Sequence, residues 1–241
     1  MLPLVCDACP DVTWLRGGRW GASPAMSDTL LTGERRVLEL VATGAPLSAV
    51  LDAICALLEH PPRVLASIYL LARDGQTLSF AAGPHIPDAW RAVSASFRIT
   101  ATSGACGAAI TGRSPVVVDD IESNPLYLPV WREAARTSDL VGSWSTPFFA
   151  SDGQPLGTCV LVGPTAWTPT DEQRRAVDRA AYLAGIAVEL HQTEAFDARE
   201  RTTVLHGVLR RSRGHVDHGI CRPAIPVCQR QVPGALGLFE G

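Results

Sequence analysis

Few residue types in this chain could do chemistry, and their spacing decides what kind. Cys106 sits between two glycines in "SGACGAA", at the start of a helical run of small side chains. There a thiol is either a small packing residue or a thiolate favoured by a helix N-terminus. Asp119, Asp120 and Glu122 follow in "VVVDDIES". Adjacent strand residues point to opposite faces, so Asp119 and Asp120 read as a polar strand end and not as a metal site. Cys6-x-x-Cys9 is half of a zinc site, and His215, His218, Cys221 and Cys228 are the only other half the spacing offers. Neither half has a partner at standard zinc-finger spacing, and we expect no metal. "GSWSTPF" (142–148) lacks the closing glycine of a nucleophile elbow. No catalytic residue is assigned, and the identity of any cofactor stays open. Tyr127, Trp131 and Trp144 are aromatics able to stack on a flat ligand or to fill a core.

Composition narrows the function classes. All 21 basic residues are arginine, so lysine-dependent phosphate loops, Schiff-base chemistry and the usual protein-kinase ion pair are excluded. Seven cysteines in 241 residues are odd in number and widely spread, which fits a reducing compartment. No charged leader with an apolar run opens the chain. The longest apolar run, "VLASIYLLA", falls far short of the roughly 20 residues a membrane helix needs. We expect a cytoplasmic protein with no membrane partner. Residues 1–196 hold 14 arginines against 20 acidic residues, and residues 197–241 hold 7 against 4. The basic stretch "LRRSRGH" (209–215) has no interleaved aromatics, so it reads as a solvated tail and not a nucleic-acid site.

The elements that position these residues follow from periodicity. Residues 1–31 show none and are left unassigned. From Glu34 an apolar helical pattern runs to "TGAP" and resumes from Leu47 to Leu58, with "HPP" (60–62) as its stop. Asp74-Gly75 and Asp152-Gly153 each sit between apolar runs and predict hairpins. Short strands are expected near Phe97–Thr100 and Val116–Asp119, with short helices after "TSGACG" and within "PVWREAARTSDL". In "TPTDEQ", Thr168 is the expected N-cap of a helix running from Thr170 to about Gln192. Beyond Phe196 the Arg, Gly and Pro content predicts a disordered tail. Two hairpins exclude an all-parallel sheet. The result is an α/β (α+β) domain, with an antiparallel sheet of five or six strands sandwiched between helices.

In order and spacing, "LELVATGAPLSAVLDAI", "SGACGAAITGRSPVVVDDIESNPLY", "GSWSTPFFASDGQPLGTCVL" and "TPTDEQRRAVDRAAYLAGIAVEL" resemble the GAF domains of bacterial signalling proteins. The resemblance covers about residues 34–190 and sets the domain at 32–192, with an extension before it and a tail at 193–241. It implies a small-molecule pocket between the sheet and the short helices, with Cys106, Asp119, Tyr127, Trp131 and Trp144 as candidates to line it. It also implies a homodimer through the terminal helices and a separate output protein, since no kinase or cyclase motif is present. The asparagine-lysine motif of cyclic-nucleotide GAF domains is absent, as is the histidine-flanked chromophore cysteine of phytochromes. "SGACGAA" resembles one cysteine loop of the free methionine-R-sulfoxide reductases. Their catalytic loop corresponds here to "SNPLYLPVWREAARTSDL", which holds no cysteine, leaving Cys159 as the nearest second thiol. A sensor is therefore expected over a reductase or a ligand-free dimerisation scaffold.

Overall fold

The computed structural model describes the backbone of residues 5–6, 9–15, 19–22, 24–59, 63–166 and 168–213, and side chains within 30–59, 63–166 and 168–194. The chain divides into two compact units, Met1–Ala195 and Phe196–Gly241. The first unit opens with β1 (Val5–Cys6), β2 (Cys9–Leu15) and β3 (Arg19–Ala22), a three-stranded antiparallel sheet in the order β1-β2-β3. These strands fall in the segment the sequence leaves unassigned: β1 and β3 are short, and Pro10 and Asp11 interrupt the alternation in the seven residues of β2. Helix α1 (Pro24–Ala42) also starts earlier than its apolar pattern, which becomes visible only from Glu34.

Gly44, at φ 66°, turns the chain between α1 and α2 (Leu47–Leu58), whose Val50, Leu51, Ile54, Cys55, Leu57 and Leu58 are buried. The main sheet follows: β4 (Leu65–Leu71), β5 (Thr77–Ala82), β6 (Ser96–Arg98), β7 (Val116–Val118), β8 (Gly142–Phe149) and β9 (Pro155–Gly163). Its order is β6-β5-β4-β9-β8-β7, and every pairing is antiparallel. Both predicted Asp-Gly turns are present, with Gly75 and Gly153 at φ 66° and 83°. Three short helices lie between the strands: α3 (Asp88–Ser94), α4 (Gly104–Gly112) and α5 (Pro129–Thr137). Helix α3 has no counterpart in the sequence reading; its seven residues carry only Trp90 and Ser94 as buried positions, too few to display a period.

The sheet separates two cores because successive strand residues point to opposite faces. One face carries Ala66, Ile68, Trp144, Phe148, Cys159 and Leu161 against α2 and the last helix, α6 (Asp171–Arg213). The other carries Tyr69, Leu78, Val160 and Val162 against α3, α4 and α5. The α6 cap lies two residues beyond the expected Thr168. Thr170 Oγ1 accepts from the Gln173 amide at 3.2 Å while Gln173 Oε1 accepts from the Thr170 amide at 2.9 Å, a reciprocal capping box. Thr168 therefore lies outside the helix.

Helix α6 continues to Arg213, well past the Gln192 where its periodicity was read to end. The residues beyond, "TEAFDARERTTVLHGVLRR", are rich in Glu, Ala, Arg and Leu, which all favour helix; their charge density hides the weaker apolar period. The rest of the expected tail, with His215, His218, Cys221 and Cys228, lies outside the described residues.

Candidate functional site

The layer between the sheet and helices α3–α5 is built from aromatic rings. Trp131 of α5 meets Phe97 at 5.2 Å, Trp90 at 5.4 Å and Tyr127 at 6.3 Å between ring centroids. Tyr69 of β4 meets Phe80 at 5.6 Å and Phe97 at 5.9 Å. All five pairs are edge-to-face, which suits ring quadrupoles. Pro129 at the first turn of α5 sets that helix immediately after Tyr127 and Leu128.

Helix α4 is pinned to the same layer. Gly104, at φ 71°, donates its amide to the Leu126 carbonyl at 2.8 Å, and the Ala105 amide donates to Tyr127 Oη at 3.3 Å. A Cβ on Gly104 would come within 2.8 Å of the Tyr127 ring, so glycine is needed both for space and for conformation. This close approach delivers Cys106 to the layer. By surface the residue is only half-buried, yet the atoms packed round its sulfur push the thiol up to about 12, with the Ser145 hydroxyl pulling weakly the other way. Burial likewise raises the Tyr69 and Tyr127 phenols, and the nearby Cys106 thiol adds to it.

Strand alternation places Ser67 of β4 and Ser143 and Ser145 of β8 on this face, the latter two opposite Trp144. Ser145 exchanges a hydrogen bond with Thr158, which also donates to the Thr146 carbonyl at 3.1 Å. Ser94 donates to the Trp90 carbonyl at 2.7 Å. Ser67 Oγ, Ser143 Oγ and Trp90 Nε1 are buried without a hydrogen-bond partner. Ser67 lies close enough to Tyr69, and Ser143 to Tyr127, to ease phenol ionisation slightly, but neither closes a hydrogen bond. Each such orphan atom costs about 1–3 kcal/mol unless something fills it. Among the described residues, those polar residues that are buried as a whole are all serine or threonine. The helices that bound the layer also carry charge: the Nε atoms of Arg91 on α3 and Arg132 on α5 are buried without a hydrogen-bond partner, and the Arg91 guanidinium lies 5.1 Å from the Phe80 ring.

The structure brings Cys106, Tyr127 and Trp131 together, and separates the other two candidates from them. Trp144 is 1% exposed in the opposite core, against α2 and α6. A register one residue off would have turned it inward. Asp119 is exposed at the end of β7. Its neighbour Asp120 closes a local turn, accepting from the Glu122 amide at 3.0 Å and the Ser123 hydroxyl at 2.6 Å, and these bonds hold its carboxyl below the usual range. Glu122 pairs with Arg136 at 3.1 Å. Among the described residues, no group of three or more His, Cys, Asp or Glu could hold a metal. Cys6 and Cys9 face each other in register across β1 and β2.

Cys159 packs with Cys55 and Trp144 on the far side of the sheet from Cys106. Two thiols on opposite faces cannot resolve one another. The sequence reading passed over Ser67, Trp90 and Ser143. The only available signal was a hydroxyl interrupting an apolar strand, as Ser67 does in "VLASIYLLA".

A GAF domain family matches residues 44–189. A methyl sulfide methyltransferase-associated sensor from Methanosarcina acetivorans is 30% identical over 173 residues, covering 71% of this chain; the chain spans 17% of that protein's length. Among solved structures, a protein assigned as a GAF sensor from Burkholderia vietnamiensis superposes with a TM-score of 0.53 at 20% identity, over 66% of this chain and 93% of that one. The free methionine-R-sulfoxide reductase of Neisseria meningitidis superposes with a TM-score of 0.57 at 18% identity, over 72% of this chain and 96% of that one. At such identities these structures speak for the fold alone. Six antiparallel strands, helices on both faces, and the match over residues 44–189 lead to one conclusion: this chain belongs to the GAF domain family.

Proposed function

We propose that this protein is a cytoplasmic sensor whose GAF domain holds a small, flat molecule in the layer between the sheet and helices α3–α5. One observation carries the reading. Three buried polar atoms, on Ser67, Ser143 and Trp90, have no partner, and they lie in the layer of Tyr69, Tyr127, Trp131 and Cys106. A ligand with hydrogen-bonding edges and an aromatic face would satisfy the orphans and stack on the rings. The sensor name of the Methanosarcina relative supports the signalling role. Among the described residues no helix is long and apolar enough to cross a membrane, which accords with a cytoplasmic location. Output passes through α1 and α6, in a homodimer, to a separate protein.

The test is mass spectrometry of small molecules released by denaturing the purified full chain. We expect one compound at near-stoichiometric yield, lost in Ser143→Leu while the circular dichroism spectrum is kept. Empty wild-type protein would favour a dimerisation scaffold with a self-filled layer. The reductase reading has support in the fold of the Neisseria enzyme. The position of Cys159 behind the sheet and the absence of cysteine from residues 123–140 weigh against it. Turnover of free methionine sulfoxide by wild type, abolished in Cys106→Ser, would reinstate it.

A further inference from the structure

A sensor must connect its ligand layer to its output helix, and here the two lie on opposite faces of one sheet. The β8–β9 turn, residues 149–153, is gripped from both sides. Arg113 caps α4 in the left-handed conformation, at φ 51°, where glycine would sit without strain. What arginine adds is reach: Nη2 donates to the Gly153 carbonyl at 2.6 Å, and the guanidinium lies 4.8 Å above the Phe149 ring. On the far side, the Ser151 amide and hydroxyl donate to the Glu189 carboxylate of α6 at 3.0 and 2.5 Å. The Phe149 carbonyl presses so closely on α6 that a Cβ at Gly185 would lie 2.6 Å from its oxygen.

We infer that this turn is the coupling joint of the protein: Arg113 transmits displacement of α4 into residues 149–153, and Glu189 and Gly185 pass it to α6. The inference rests on the sensory reading above, since it supplies that reading's route from site to output. Helix α4 is nine residues, about 13 Å of rigid rod, with Cys106 in the ligand layer near one end and Arg113 capping the other. A shift at Cys106 therefore moves Arg113. The turn cannot absorb that shift by sliding, because a charge-assisted bond holds one side and a two-point carboxylate clamp with a backbone contact holds the other. A helix on a close-packed sheet shifts between discrete arrangements and does not deform continuously, so a small displacement passed to α6 would select between them.

The experiment is hydrogen exchange on the full chain, comparing Arg113→Ala, Glu189→Gln and the double variant with wild type. Arg113 bonds the turn, so a local role would loosen the turn alone. The coupling joint requires more: Arg113→Ala speeds exchange of the α6 amides at 185–190 about threefold or more, and adds little once Glu189→Gln is present. Cys106→Leu serves as a steric stand-in for an occupied layer. It should alter exchange at the same α6 amides in wild type and lose that effect in Arg113→Ala. Unchanged α6 exchange in Arg113→Ala, or effects of Arg113 and Glu189 that simply multiply, would overturn the inference. Should Cys106→Leu fail to fold, the Arg113–Glu189 cycle decides alone. No ligand is used, so an empty layer would defeat the ligand reading without touching this result, and the reverse holds equally.

Discussion

Cys106 stands at the start of a helix, a position that usually makes a thiol more acidic, yet its proton is held more tightly than in water. Magnitudes explain the outcome. A helix N-terminus favours an anion by at most about 1 kcal/mol in an exposed setting, while moving an unpaired thiolate out of water costs several. Burial therefore wins and pushes Cys106 and Cys159 from 9.0 up to about 12, and raises Cys55 as well. Iodoacetamide at neutral pH should leave all three unlabelled in the native protein and label them in guanidinium, as read by peptide mass mapping. Labelling of native Cys106 at the rate of a free thiol would contradict the packing. The same burial sets an alkaline limit. A folded-state value above the unfolded one gives stability that is complete below about pH 9 and is lost as pH rises towards 12. The melting temperature should fall steadily over that window, and less steeply in Cys159→Ala.

Elements were legible wherever a local rule was strong enough. Asp74-Gly75 and Asp152-Gly153 fixed both hairpins because the turns need positive φ, which Gly75 and Gly153 adopt. The apolar stripe Val50, Leu51, Ile54, Leu57 and Leu58 fixed α2. What could not be read was sidedness. Trp144 and Ser143 are neighbours in one strand, and the choice of which faces helices α3–α5 depends on strand pairing with β9 and β7, not on any local preference. So Tyr127 and Trp131 share one core, Trp144 lies in the opposite one, and the hydroxyl of Ser143 beside it carries no local signal of its side. The α6 cap shows the same limit on a smaller scale. Thr168 and Thr170 both precede an acidic first turn, and only the reciprocal Thr170–Gln173 bonds separate them. Thr170→Val should cost about 1 kcal/mol in urea unfolding and Thr168→Val almost nothing. Equal losses at the two sites would mean that the capping box does not hold the helix start.

On the scale of the whole molecule, helices α1 and α6 run side by side in the same direction. Leu30 shares a hollow with Glu172 near their N-termini, and Val41 shares one with Leu190 further along. Arg179 and Glu34 bond between them at 3.2 Å. Their outer surface is unusually apolar: Leu31 is 57% exposed, Leu38 52%, Tyr182 71% and Leu190 48%. Leu31 and Leu38 are seven residues apart, so they share a face of α1, and Tyr182, Ile186 and Leu190 span about 80° of α6. Leu31 and Asp178 line one hollow, and Asp178 and Tyr182 line the next, which puts these groups on one continuous surface. Leaving four large side chains nearly half or more in water forfeits roughly half of the about 1.5–3 kcal/mol that full burial of each would give, still an incentive to pair. A two-fold axis along the parallel helices would bury them against their own copies in a four-helix core. Light scattering over a dilution series of the full chain should give a dimer, and Leu38→Glu combined with Tyr182→Glu should give a monomer with unchanged circular dichroism. Wild type that stays monomeric at high concentration would rule out the dimer. A doubly charged variant that stays dimeric would place the contact elsewhere, and α1 and α6 would then lose their claim to carry the signal between copies.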